Sequence, residues 1–552
     1  MKISARKLLL NNLPLLCSLV ALSTSVLAET NKPNIVYILA DDMGHGDIQA
    51  IAPKGKIPSP NLDRIAAEGM AFTQAYSGSS ICTPTRYGIM TGRYPWREKV
   101  GLAANYGSRI MPEGQETVAT FLRSQGYKTL MVGKWHLGTS WTMKDGSVME
   151  SRKSLDQSPS LTEDQNIDFS APFYGGPTDH GFDSWFGISG SLDFAPYIYL
   201  VNNKATKIPS EHLKGKNRFG NRSGFADPDL DPSELLGEFT QRSVALIEKQ
   251  KKDEPFFLYM PLTAPHTPIV PSKAFKGLSK LGPNADFRME VDWTVGQVLD
   301  ALDRTGLSDN TLVIFTADNG SYPGATTELK EVGHDTHDGR RGEKATLFEG
   351  GHRVPFLVKW PAGIKGKLNR RADENITLED FIATTADILD QPTPTYAVDS
   401  VSFLPQLQDQ KATVEQRDVI ISSLSNTLIA RHGEWKLTYK SLAEIAEIRQ
   451  RNPNMKKLRA GFYTPKKNEP WYKHVALFNL LEDQGETVNV AQQHPEVVAK
   501  IHAAVRKAIA EQRTNKGVAN PKVNWSVNHG ITADQQRRLK ILDSLLTKTH
   551  KI

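Results

Sequence analysis

Cys82, Thr83, Pro84, Thr85 and Arg86 form the pattern Cys-x-Pro-x-Arg, with Gly88 to Gly92 (GIMTG) close behind. Pro84 suits the first turn of a helix that begins beside Cys82. Backbone N–H groups and the dipole at a helix N-terminus favour an anion there. Arg86, one turn further on, brings a planar fork of donors back toward the same point. On residue types alone Cys82 is open to two readings, an activated thiolate or a buried inert thiol. A second group contains only oxygen ligands: Asp41-Asp42 and Asp318-Asn319. Such a set, without clustered His or Cys, favours Ca²⁺ or Mg²⁺ over Zn²⁺. A third group supplies cations and proton carriers: Lys134 and His136 in GKWHLG, His266 in APHTP, and Lys344 in RGEKATLFEGG.

These residues need a scaffold that brings them together, and the hydrophobic pattern provides one. NIVYILA (Asn34 to Ala40), Thr129 to Val132, Phe256 to Met260, TLVIFTA (Thr311 to Ala317) and Val354 to Lys359 read as buried strands. Helical patterns alternate with them, at Leu62 to Glu68 (Ser59 as cap, Pro60 in the first turn), around Val118 to Leu122, Leu235 to Ile247 and Val291 to Leu302. This alternation predicts an α/β fold with a mostly parallel sheet flanked by helices. Ligands of such sheets bind beyond the carboxyl ends of the strands. Asp41-Asp42, Lys134 with His136, His266 and Asp318-Asn319 each follow a strand. After about Pro394 the pattern changes to short strands and an amphipathic helix at Val497 to Ala510, predicting a smaller α+β part with an antiparallel sheet. The expected division is a leader at 1–28, a catalytic domain at 29–415 and a C-terminal subdomain at 416–552.

The leader has Lys2, Arg6 and Lys7, then a short apolar run from Leu13 to Leu22, then Val26-Leu27-Ala28 as a cleavage site. It predicts export, to periplasm or medium, with no stable membrane insertion, since no later segment approaches ~20 apolar residues. Its removal takes Cys17 and leaves Cys82 as the one cysteine, so the exported chain forms no internal disulfide. The chain has 552 residues and a formal charge of +6, three units of which lie in the leader. That mild balance does not call for a polyanion partner, and no nucleic-acid partner is expected.

In its order of signatures the chain resembles the type I, formylglycine-dependent sulfatases, closely from about Pro33 to Ala362 and loosely beyond. DDMGHGD (Asp41 to Asp47) is similar to the family's metal motif, Cys82 to Arg86 to its maturation motif, and GKWHLG to its second signature. The resemblance implies an alkaline-phosphatase-like fold and hydrolysis of sulfate esters. It implies that a formylglycine-generating enzyme oxidises Cys82 to Cα-formylglycine. It implies one Ca²⁺ held by Asp41, Asp42, Asp318 and Asn319, with position 82 beside the ion. Arg86, Lys134 and Lys344 would neutralise the sulfuryl oxygens as the aldehyde hydrate attacks sulfur. His266, with Lys344, would protonate the leaving oxygen, and His136 would take a proton as sulfate departs. Ser191, with Ser189 as the alternative, matches the family's sulfate-proximal serine in GISGSLD.

Export, long loops at 139–178 and 201–232, and the aromatics Trp185, Phe186, Tyr197 and Tyr199 suggest a sulfated poly- or oligosaccharide as substrate. His334, His337, Arg340 and Arg341 are candidates for reading sugar hydroxyls or neighbouring anions. The basic, aromatic stretch from Lys456 to Lys473 is a candidate polysaccharide rim. Two rival functions remain: a formylglycine-dependent phosphonate or phosphate ester hydrolase, and a non-catalytic glycan-binding protein.

Overall fold

The computed structural model describes residues 32–98, 100–103, 105–149, 164–408, 417–422, 427–440, 469–515 and 531–549. The leader, the expected boundary at 415/416 and most of the 456–473 stretch lie outside these residues. The strands of the main sheet are β1 (Asn34–Ala40), β2 (Met70–Phe72), β3 (Lys128–Lys134), β4 (Ser184–Ile188), β5 (Leu200–Val201), β6 (Lys204–Ala205), β7 (Phe256–Pro261), β8 (Thr311–Ala317), β9 (Phe356–Lys359) and β10 (Arg370–Ala372). Their order is β10-β2-β9-β8-β1-β7-β3-β4-β5-β6. The centre, β8-β1-β7-β3-β4, is parallel, while β9 and β5 pair antiparallel to β8 and β4. The sheet is thus mixed and mostly parallel, as the sequence predicts.

Every residue of β1 and β8 is buried, so both faces of the sheet are covered. One packed group of helices contains α1 (Pro60–Ala67), α4 (Leu235–Ile247) and α5 (Pro283–Thr305). The other contains α2 (Cys82–Thr91), α3 (Val118–Ser124) and α6 (Phe381–Ile388). Phe381 packs on Tyr37 of β1 and Phe257 of β7, which fixes the second group to that face. Ser59 and Pro60 stand where expected at the start of α1. Ser59 makes no side-chain cap, however; its hydroxyl receives the Gln49 N–H and donates to Asp63.

A second, antiparallel sheet follows, β11 (Val419–Ser422), β12 (Leu428–His432), β13 (Trp435–Thr438) and β14 (Ala476–Asn479), in that order. It packs with α7 (Pro495–Ala510) and α8 (Ala533–Thr549) around its own core of Ile420, Ile429, Leu437, Leu477, Ile501 and Val505. Among the described residues no helix is long and apolar enough to cross a membrane.

One expectation fails on burial. Trp185, Phe186 and Tyr197 are core residues: Trp185 donates its indole N–H to the Gly133 carbonyl at 3.1 Å, and Tyr197 stacks on Phe219 at 4.3 Å. Tyr199 packs against Phe186 and Phe239. These aromatics build the flank of the sheet and present no sugar platform.

Candidate active site

The parallel register sets the site. Ala40 pairs with Ala317, so Asp41 and Asp318 emerge side by side. The Asp318 N–H donates to the Ala40 carbonyl at 3.1 Å, and the Asp41 N–H to the Ala264 carbonyl at 3.0 Å. The second bond draws in the loop that carries His266. β3 ends on Lys134, and His136 lies two residues beyond. Asp42 and His136 have φ of 67° and 58°, left-handed values that side-chain-bearing residues avoid unless their surroundings enforce them.

Cys82 is the first residue of α2, buried, and its Sγ lies 3.5 Å from Asp41 Oδ1. Ile81 at the N-cap offers no side-chain acceptor to the first-turn N–H groups. Lys134 Nζ donates to Asp41 at 2.5 Å and to Ser191 Oγ at 3.1 Å. Lys344 Nζ donates to Asp42 at 2.7 Å. Ser191 Oγ lies 3.2 Å from His266 Nδ1, so of the two serines it is Ser191 that joins the cluster. Arg86 departs from the expected geometry. Its Nε and Nη2 reach Asp318 Oδ2 at 3.0 and 2.7 Å, and its Nη1 donates to the Lys134 carbonyl at 3.2 Å. The fork therefore fixes Asp318 and the end of β3.

Asp41, Asp42 and Asp318 thus face Arg86, Lys134 and Lys344 in a water-poor space. Burial pushes Asp41 up, but Lys134, helped by His266, Arg86 and Lys344, outweighs it and holds the carboxyl well below its usual range. Asp318 is pushed up to about 6 by burial and by Asp41, against Arg86. Three carboxylates so close repel one another. Burial also pushes the Cys82 thiol up, against Lys134 and Lys344. For His136, burial, then Lys134 and Arg86, hold the imidazole well below its usual value.

A divalent cation fits the residues present. Asn319 donates its amide N–H to Asp42 Oδ1 at 2.7 Å and to the Gly320 carbonyl at 2.9 Å, yet its buried Oδ1 has no partner among the described residues. An orphan of this kind costs about 1–3 kcal/mol unless a ligand fills it. The ligand atoms of Asp41, Asp42, Cys82 and His266 lie within 4.8 Å of one another. Asp41, Asp42 and the free Asn319 Oδ1 supply oxygen donors, which suit a hard cation. His266 stands beside this group, as its expected role as an acid requires, with its Nε2 3.6 Å from Asp42 Oδ2; the sequence did not mark it as a ligand.

Other candidates fall elsewhere. Asp47, at the far end of DDMGHGD, is bound by Arg288 at 2.9 Å, His334 at 2.8 Å, Ser321 at 3.2 Å and the Gly44 N–H at 2.8 Å. His334 Nδ1 accepts the Lys56 N–H at 3.0 Å, so both its ring nitrogens are engaged and it is buried. It supports Asp47 and presents nothing to a sugar. His337 is buried too, and Arg340 pairs with Asp338 at 3.1 Å. Arg341 donates to the Glu486 carbonyl at 2.8 Å and lies over the Phe348 ring at 4.0 Å. Polar residues in a loop look alike in sequence whether they line a rim or bind the layer beneath it. Asp193 escaped the sequence reading: it sits 3.9 Å from His266 Nδ1 and is ion-paired with Arg222.

The profile of the sulfatase family matches residues 33–391. The chain belongs to that family, whose members are sulfuric ester hydrolases. A Bacteroides thetaiotaomicron N-acetylgalactosamine-6-O-sulfatase is 32% identical over 514 residues, covering 86% of this chain and 92% of the relative. The human N-acetylgalactosamine-6-sulfatase is 27% identical, covering 90% of each chain. A solved B. thetaiotaomicron structure, described under the metabolism of multiple glycosaminoglycans, has a TM-score of 0.71 at 29% identity and covers 87% of this chain and 99% of its own.

Proposed function

We propose that this sulfatase removes sulfate from a sulfated saccharide, with Cys82 in its formylglycine form and one Ca²⁺ held by Asp41, Asp42, Asp318 and Asn319. The observation that carries this reading is the seat of Cys82: a helix N-terminus, 3.5 Å from a buried aspartate, within the field of Lys134 and Lys344. When bound, the ion supplies Lewis-acid stabilisation of sulfate oxygens, and the hydrated aldehyde supplies an oxygen nucleophile.

The chain's own residues do the rest. Lys134 and Lys344 reach the site with their ammonium groups and neutralise charge growing on the sulfuryl oxygens. Arg86 keeps Asp318 ionised and in place. His266 Nδ1 donates to the Thr267 carbonyl at 2.7 Å, which leaves Nε2 facing the site. In its imidazolium form this ring hands the Nε2 proton to the departing sugar oxygen. Ser191 ties Lys134 to His266. His136 Nε2 donates to the Ala103 carbonyl at 3.2 Å, so the buried Nδ1, which has no partner among the described residues, is its proton-accepting atom. An imidazole kept neutral by its surroundings suits that task.

Maturation requires a formylglycine-generating enzyme, and the leader directs the chain to periplasm or medium. The names of the relatives point to 6-O-sulfated N-acetylgalactosamine as the first substrate to test. Purified protein is incubated with oligosaccharides carrying that group and, in parallel, with an aryl phosphonate monoester. Sulfate release, read by ion chromatography, is expected to exceed phosphonate turnover. Phosphonate turnover without sulfate release would reassign the chain to the phosphonate hydrolases. Saccharide binding without either product would leave a binding protein.

A further inference from the structure

The segment carrying Lys344 is held from two sides. At its tip the Lys344 N–H donates to the Ser321 carbonyl at 3.0 Å and the Ala345 N–H to the Ser80 carbonyl at 2.7 Å, two residues before Cys82. Ala345 has φ of 69°. At its base the Gly350 N–H closes on the Arg341 carbonyl at 2.8 Å, and the Gly320 N–H, next to Asn319, donates to the Gly351 carbonyl at 3.2 Å. A Cβ on Gly320 would stand 1.8 Å from the Gly350 carbonyl oxygen, so this turn packs directly against the metal-ligand strand end.

The base is gripped by the C-terminal layer. Glu486 Oε2 accepts the Glu349 N–H at 2.7 Å, and the Glu486 carbonyl accepts Arg341 Nη1 at 2.8 Å. Lys436 Nζ lies 2.7 Å from Glu486 Oε1 and 3.1 Å from Glu349 Oε1. Glu349 Oε2 takes the Tyr76 hydroxyl at 2.8 Å, with Arg431 Nη1 3.2 Å away. Glu349, Glu486, Lys436 and Arg431 are all buried, and Glu486 has φ of 52°. Buried, mutually paired charges on a left-handed backbone persist only where the surroundings over-determine them. Simple adhesion between layers would need no such contacts on this one loop.

We propose that Glu486 and Lys436 are positioning residues for the sulfate site, holding the 341–351 loop so that Lys344 meets Asp42 and Gly351 meets Gly320. The catalytic layer is incomplete without the C-terminal one. The inference rests on the reading of Lys344 as a sulfate-binding cation, and its test separates the two. Glu486→Ala removes both carboxylate contacts, whereas Glu486→Gln keeps an acceptor for the Glu349 N–H and serves if the alanine variant does not fold. On an activated aryl sulfate, Glu486→Ala should lower kcat about tenfold or more, since misplacing a charged group by about an ångström costs up to ~100-fold. In a Lys344→Ala background the same change should cost less than about twofold, because the two share one effect. Hydrogen exchange should quicken in peptides covering 341–351 and stay unchanged in β11 to β13. Equal losses in both backgrounds, or unchanged exchange at 341–351, would overturn the proposal. If the parent enzyme releases no sulfate, the reading of Lys344 fails, and the exchange result still decides whether Glu486 holds the loop.

Discussion

The segment Asp41 to Asp47 begins and ends in buried carboxylates with opposite surroundings. Asp47 is surrounded by donors from Arg288, His334, Ser321 and the Gly44 N–H. Burial pushes it up, yet Arg288 and His334 outweigh this and hold its carboxyl far below the usual range. Asp41 and Asp42 instead share their space with Asp318, and the neighbouring Asn319 Oδ1 has no partner among the described residues. Burial and charge are alike at the two ends. Like charges gathered around an unfilled acceptor mark the end that waits for a ligand, and a carboxylate with a full set of donors marks scaffold.

Two substitutions test that contrast, and the larger effect on activity belongs to Asp42→Asn. Asn tolerates the left-handed backbone at this position, so the change isolates the lost charge. Loss of a supporting partner of a metal ligand costs 10–100-fold, so loss of a ligand charge should cost at least about 100-fold in sulfate release. Calcium at about a hundred times its Kd adds ~2.7 kcal/mol to a protein that binds it only when folded. Asp42→Asn should lose most of that increment, read as the thermal shift between EGTA and Ca²⁺. Its stability in EGTA should change little, because relief of repulsion among three carboxylates offsets the loss of the Asp42 partner by the partly exposed Lys344. Stabilisation of the parent by Zn²⁺ with Ca²⁺ inert would refute the metal assignment.

Asp47→Asn should act the other way. It leaves buried Arg288 without its counter-ion, a change that costs about 3–5 kcal/mol. Unfolding should show that loss equally in EGTA and in Ca²⁺, while sulfate release per folded molecule changes by less than about tenfold. If Asp42→Asn and Asp47→Asn prove interchangeable in both assays, the distinction between the two ends is wrong.

Much of the site was legible because strand ends carry their chemistry with them. NIVYILA followed by Asp-Asp, and TLVIFTA followed by Asp-Asn, each announce a buried strand and its polar exit, and a parallel register makes the exits neighbours. Cys82 was legible for a similar reason, since Pro84 sets a helix start and so an anion site. What escaped depends on contacts distant in sequence. His334 reads as a rim residue until Asp47 and the Lys56 backbone are seen to engage both ring nitrogens. Arg86 reads as a free fork until Asp318 is found against it. The grip of Glu486 on the Glu349 N–H spans 137 residues, and no local pattern announces it. Trp185 and Tyr197 were misread because aromatic spacing does not distinguish a sugar platform from a sheet flank.

The account turns on what stands at position 82. Trypsin releases the peptide from Ile65 to Arg86, which contains Cys82 and no internal Lys or Arg. Mass spectrometry of this peptide, from preparations expressed with and without a formylglycine-generating enzyme, tests the claim directly. The account predicts loss of the thiol, gain of a hydrazide-reactive carbonyl, and sulfate release proportional to the converted fraction. Full activity from a preparation whose peptide carries only unmodified cysteine would contradict it and return the nucleophile to the thiolate.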